Sequence, residues 1–317
     1  MTSIQKETTS AHLGMLLWAV IVGLSFPVVG FITEGLPPLL LTALRFLLAG
    51  AAILPMLLRQ REALPDLRAL SFYGVLGLCL ACFFGAMFWA ADHSSALSMS
   101  VLYISVPLLA YGLGLLLRVE TPALALPALL ALGALGGLFM AFAEASQDLH
   151  KGFLGLAFGK GEAVFFAGCL GSALYPVLSK WGLLRGWISS SALQRTFWSL
   201  IMGTLLIALL GVLLERPSRL LAMQPLDWLL VAYLGVVSSG LTFWLLQRAA
   251  AALTPSTATA YTYLTPFVSL LLLLISEPAR FTWHWLPGAL LVLVATVLLM
   301  ARETLPRPAR PAPAKTD

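Results

Sequence analysis

The sequence predicts an all-α integral membrane protein of ten transmembrane helices, arranged as two inverted-topology five-helix repeats. Three observations predict it. Of 317 residues, 60% are hydrophobic and only 10% are charged, against roughly 25% charged in soluble domains. The apolar residues gather into ten runs, each close to the ~20 residues that a helix needs to cross the hydrocarbon core. Local features then recur in the same order in the two halves of the chain.

The ten spans are expected at 11–32, 38–58, 70–91, 96–117, 122–143, 162–181, 191–214, 228–249, 255–276 and 283–301. Charge, Pro or Gly marks the breaks: TEGLPP after span 1, RQREALPDLR after span 2, ADHSS after span 3 and RVETP after span 4. This divides the chain into an N-terminal segment 1–10, a first repeat 11–143, a connector 144–161, a second repeat 162–301 and a basic, Pro-rich tail 302–317. Phe153 to Phe158 of the connector are expected at the membrane surface. The first ten residues are polar and no A-x-A site ends the first run, so no cleavable signal is expected. The tail cannot form a core.

Lys and Arg set the orientation. With the N-terminus inside, twelve of the 19 basic residues fall on the inner side and five on the outer. Arg45 and Arg195 lie within spans. The asymmetry places both termini in the cytoplasm of a cell whose inner (plasma) membrane holds the chain. The net charge of +5 therefore reads as membrane topology and not as a nucleic-acid surface.

The halves superpose at an offset near 150–160. SFPVV at 25–29 matches LYPVL at 174–178, and TALRFLLAG at 42–50 matches ALQRTFWSLIMG at 192–203, which sets Arg45 against Arg195. MFWAA at 87–91 matches TFWLL at 242–246. SMSVLYISVPLLA at 98–110 matches STATAYTYLTPFVSLL at 256–271, which sets Pro107 against Pro266. Each fourth helix is followed by Glu120 or Glu277. Five helices per repeat is an odd number, so the second half enters the membrane from the opposite side. That inverted plan recurs in secondary transporters.

Nearly the whole chain, 11–301, resembles the EamA-domain transporters of the drug/metabolite transporter superfamily. The carriers are LLWA at 16–19, PPLLLTALRFLLAG at 37–50, SALSMSVLYISVPLLAYGLGLLLRVE at 95–120, KGEAVFFAGCLGSALYPVLSK at 160–180, the 233–277 stretch and the Pro-Gly pair at 287–288. The first half departs at Leu97 to Ser100, and Glu120 lacks the usual preceding Gly. The resemblance implies alternating access around a cavity lined mainly by helices 1, 3, 4, 6, 8 and 9. It implies small metabolites such as amino acids as substrates, with efflux the common direction and uptake the alternative.

Polar and aromatic residues on those helices are the candidate cavity lining: Trp18, Ser25, Trp89, Tyr103, Ser105, Tyr175, Trp244, Tyr261, Tyr263 and Thr265. A mid-membrane Tyr hydroxyl needs a partner, which water or substrate in a cavity supplies. Ordinary helix packing, or an aromatic belt for the Trp residues, is the competing reading. Pro107 and Pro266 are candidate hinges or fixed kinks. Arg45 and Arg195 read first as structural, snorkelling or capping a helix end. A cavity-facing Arg would favour a substrate carboxylate.

No Asp or Glu is expected deep within a span, since Lys160 and Glu162 mark the start of span 6 at the interface. Proton-coupled export of a cation has no visible carboxylate to use, which favours neutral, zwitterionic or weakly anionic substrates. A membrane enzyme acting on lipid would need convergent His, Asp or Glu. His12, His93, His150 and His284 are scattered, and no phosphate loop or nucleophile elbow is present. No catalytic residue, metal or cofactor is therefore expected. Cys79 and Cys82 form a C-x-x-C within an apolar run, where small side chains pack between helices. The expected partners are a small-molecule substrate and membrane lipid, and a homodimer is compatible with the sequence.

Overall fold

The computed structural model describes residues 3–60, 64–145, 159–276 and 283–304. Most of the connector, Glu277 and the tail from 305 onward lie outside the described residues. The described residues are helical throughout, without strands.

The first half comprises α1 (Ser3–Gly30), α2 (Pro38–Gln60), α3 (Leu67–Ala91), the pair α4 (Ala96–Tyr103) and α5 (Val106–Leu116), and α6 (Ala125–Ala145). The second comprises α7 (Lys160–Leu184), α8 (Ala192–Leu214), the pair α9 (Pro225–Gly235) and α10 (Thr242–Ala252), the pair α11 (Pro255–Ala260) and α12 (Leu264–Ser276), and α13 (Leu286–Thr304). Among the described residues nine helical stretches are long and apolar enough to cross a membrane. The segment expected as the ninth span, 255–276, is not one of the nine. It is helical but jointed at the 3₁₀ turn Tyr261–Tyr263.

The packing shows how the halves are related. The first helix of each half lies against the third of the other, α7 on α3 and α1 on α10. The first also meets the fourth of the other, α1 on α12 and α7 on α5. Second pairs with second (α2 and α8), fourth with fourth (α5 and α11) and fifth with fifth (α6 and α13). This is the contact pattern of a two-fold axis between repeats.

The second helices reveal their relative direction. Glu215, just past the end of α8, accepts from the backbone N–H of Leu39 (2.8 Å) and Leu40 (3.0 Å) at the start of α2. At the other end Ser191, the N-cap of α8, donates to Gln60 at the end of α2 (3.1 Å). Equivalent helices are thus antiparallel, as an inverted repeat requires. The orphan N–H groups at the start of α2 are satisfied by the partner repeat's carboxylate.

Other acids do the same work. Asp227 accepts from Thr33 N–H and Oγ1 (both 2.9 Å) and from its own Gln224 N–H (2.7 Å). Glu120 accepts from Ser256 N–H (2.8 Å) and Oγ (2.7 Å) at the start of α11. Glu162 accepts from Ser94 Oγ (2.6 Å) and Gly159 N–H (2.9 Å). These carboxylates sit at helix ends and tie one element to another.

Shape does the remaining work. At the α6–α13 crossing, a Cβ on Gly288 would lie 2.7 Å from the Gly136 carbonyl, and a Cβ on Gly136 would lie 2.8 Å from the Gly288 carbonyl. Only hydrogen at both positions permits this approach, and small-residue contacts of this kind drive helix association where lipid removes the hydrophobic drive. Large apolar side chains such as Leu205, Leu209, Leu213, Val297 and Leu298 face outward. An exposed apolar belt of this extent belongs in lipid, and the protein is integral to a membrane.

Candidate functional site

Two buried polar clusters occupy the half of the bundle that carries the N-terminus. In the first, Arg195 spends its donors fully: Nε on Gln247 Oε1 (3.1 Å), Nη1 on the Ser189 and Ser190 carbonyls (2.8 Å each) and Nη2 on the Gln247 carbonyl (2.8 Å). Gln247 Nε2 donates to the Tyr175 hydroxyl (2.9 Å), which also pairs with Ser199 (2.8 Å). Ser179 Oγ donates to Gln247 Oε1. Arg195 is 1% exposed and Gln247 is fully buried. The network ties α7, α8 and α10 together, and the cost of holding a guanidinium at membrane depth is met by four acceptors.

The second cluster joins α1 to the jointed helix. His12 Nδ1 lies 2.7 Å from the Tyr261 hydroxyl, both buried. Beside it Arg248 donates to Ser10 (2.9 Å) and its guanidinium lies 5.5 Å above the Trp244 ring. Sequence reasoning singled out Tyr175, Trp244, Tyr261 and Arg195 but not the residues that link them. Gln247 and His12 carry the links, and a lone amide or imidazole in an otherwise apolar run is the signal that could have found them.

The jointed fourth helices are the second geometric feature. Ser95 caps α4 by accepting from Ser98 N–H (3.0 Å), and Thr254 caps α11 by accepting from Thr257 N–H (3.3 Å). Pro107 lies in the first turn of α5 and Pro266 in the first turn of α12. The missing N–H of a proline costs no helical bond there. Ser105 and Thr265, at the two joints, turn their hydroxyls back onto Leu102 O (2.6 Å) and Thr262 O (2.7 Å). Each repeat therefore carries one helix broken at the same place.

The chain matches the EamA-like transporter family twice, over residues 9–142 and again over 159–301. The chain belongs to the EamA-like transporter family. Each match spans one repeat of the fold described above. A solved structure titled "Crystal structure of protein" shares the fold at a TM-score of 0.75 and 20% identity, covering 93% of this chain and 98% of that one. No curated protein matches the chain. Family membership makes this a protein of a transporter family and not of an enzyme family.

The EamA-like architecture distributes the remaining candidates over three environments. Trp18 is buried in the core formed by α1, α6, α10 and α13. Tyr103 stacks on Phe83 (5.6 Å between ring centres) and hydrogen-bonds Ser172 on α7. Ser25 turns back on Val22 O (2.7 Å). Trp89 is 40% exposed and stacks on His93 (3.9 Å). Tyr263 lies over Gly133 of α6, with its hydroxyl buried and without a partner. The two mid-span tyrosines matched in sequence, Tyr103 and Tyr263, thus pack in different parts of the bundle.

This difference has a measurable outcome. Tyr175→Phe removes a hydroxyl with two partners and should cost about 1 kcal/mol. Tyr263→Phe removes one with none and should be neutral or stabilising. Thermal unfolding of both variants in detergent checks the contrast, and equal losses would contradict it.

Proposed function

We propose that this chain is a secondary transporter that exports small organic metabolites, amino acids or related compounds, by alternating access between its two inverted repeats. The observation that carries the proposal is the antiparallel pairing of equivalent helices together with a fourth helix jointed at the same place in each half. Two such halves can exchange conformations, and the exchange carries a central site from one side of the membrane to the other. Joints beside Pro107 and Pro266 are where each repeat would bend.

On the orientation that the Lys and Arg asymmetry favours, the Arg195 and His12 clusters lie in the cytoplasmic half. There they would hold α7, α8 and α10, and α1 and α11, in register. The acids sit at helix ends, tied to N–H and hydroxyl groups. This supports neutral, zwitterionic or weakly anionic substrates over cations exchanged against a core carboxylate. Flux tests the proposal: the purified chain in sealed liposomes, loaded in turn with amino acids, amines and organic acids, should release at least one class faster than empty liposomes. No accelerated release of any class, or turnover of a lipid in its place, would overturn it.

A further inference from the structure

Arg45 and Arg195 occupy matched places in the repeats, yet their environments differ. Arg195 has four acceptors. Arg45 has one weak neutral contact, from Nη2 to Ser239 Oγ at 3.3 Å, while its Nε is buried without a partner. Among the described residues no carboxylate pairs with it. It lies two turns inside α2, about 10 Å from the helix start.

Arg45 borders a pocket of about 160 Å³ with Val29, Ile32, Leu41, Phe88 and Leu234 among its walls. Two further polar residues line this pocket, and their hydroxyls are committed: Thr33 to Asp227 (2.9 Å) and Thr42 to the Pro38 carbonyl (2.8 Å). The donor capacity left in the pocket belongs to Arg45. Asp227, the nearest acid through Thr33, is itself covered by Thr33 and Gln224.

The site is held from behind. Val236–Leu241 is a π-helical segment that carries Ser239 toward Arg45. Gly235 packs so closely on α2 that a Cβ there would lie 2.8 Å from the Arg45 carbonyl. Single π-turns of this kind occur frequently at functional sites. The guanidinium cannot shed its proton, and a charge at this depth is costly unless an anion meets it. The apolar walls favour a monoanion with a short hydrocarbon body over a strongly hydrated phosphate or sulfate.

We propose that this pocket is a carboxylate-binding site, in which Arg45 receives the acid group of a small apolar monocarboxylate. As a loading site for the transported solute it rests on the transport reading above, whereas the binding itself does not.

The test uses the full chain in nanodiscs and two probes of equal shape, isovalerate and isovaleramide, followed by ligand-observed NMR titration. Isovalerate should bind at least tenfold more tightly than the amide. Arg45→Gln should abolish that preference, and Phe88→Trp, which fills the pocket and keeps the charge, should weaken isovalerate binding tenfold or more. Equal binding of acid and amide would overturn the proposal, as would unchanged binding in both variants. If Arg45→Gln does not fold, the amide comparison and Phe88→Trp decide. Binding of palmitate but not isovalerate would assign the guanidinium to a membrane lipid and also overturn it. Liposome flux that persists while binding ignores Arg45 sinks this inference alone. Acid-selective binding without flux of any solute sinks the transport reading alone.

Discussion

Gln247→Leu should be among the most destabilising single substitutions in the bundle, lowering stability by about 3 kcal/mol. Leucine is close in volume and suits a helix, so neither shape nor propensity accounts for the loss. The loss comes from Arg195 Nε and the Tyr175 hydroxyl, which both lose a side-chain partner at membrane depth. Ser179 loses its acceptor as well. Thermal unfolding in detergent measures the effect. The double variant Arg195→Met with Gln247→Leu should recover part of it, because the stranded charge is then removed. A Gln247→Leu protein as stable as the parent would show that the network contributes nothing.

Gly288→Leu should be comparably severe, at about 3 kcal/mol or more. The first atom of the new side chain would fall 2.7 Å from both the Gly136 carbonyl and Met140 Cγ, and 2.9 Å from the Met140 backbone nitrogen. Part of that obstacle is backbone, so the crossing of α6 and α13 must open instead of repacking. Gly288→Ala should fall between the two proteins. Because the fifth helices meet each other across the repeat axis, the damage should appear as loss of assembly between halves. Limited proteolysis beside the connector would report it. Unchanged protease resistance and unfolding temperature in Gly288→Leu would refute the close-contact argument.

The two substitutions differ in how visible they were in the sequence. Gly288 was visible, since the Pro-Gly pair at 287–288 stood out as a family-like feature. What it touches was not, because Gly136 lies 152 residues away and shows no pattern of its own. Gln247 was passed over. Its neighbours Trp244 and Arg248 drew attention by type, while a single amide in WLLQRAA looks like a surface residue until a buried guanidinium is placed beside it. His12 was noted only as one of four scattered histidines, although it contacts Tyr261 across 249 positions. Tyr103 and Tyr263 show the reverse case. Sequence alignment of the halves paired them, and packing separates them, because the side chains of each repeat meet different neighbours even where the backbones correspond.

The prolines fall between these cases. Matching Pro107 to Pro266 marked a break in each fourth helix, as both occupy first turns after a joint. The π-helical segment at Val236–Leu241 has no counterpart in α3, which runs unbroken from Leu67 to Ala91. No repeat comparison could announce it, since it belongs to one half alone.

By itself the sequence determined that the chain lives in lipid, that it is helical and that it is a duplication. Composition, run length and ordered repeats are properties of chain order and of transfer to hydrocarbon, and need no knowledge of which helices touch. Only the tertiary structure decided the fates of the two matched arginines. Arg195 meets four acceptors supplied by α10 and the turn before α8, whereas Arg45 meets one serine and a pocket. The physical reason is that a charge in a membrane is defined by its partners, and partners contributed from elsewhere in the chain become neighbours only when the helices pack.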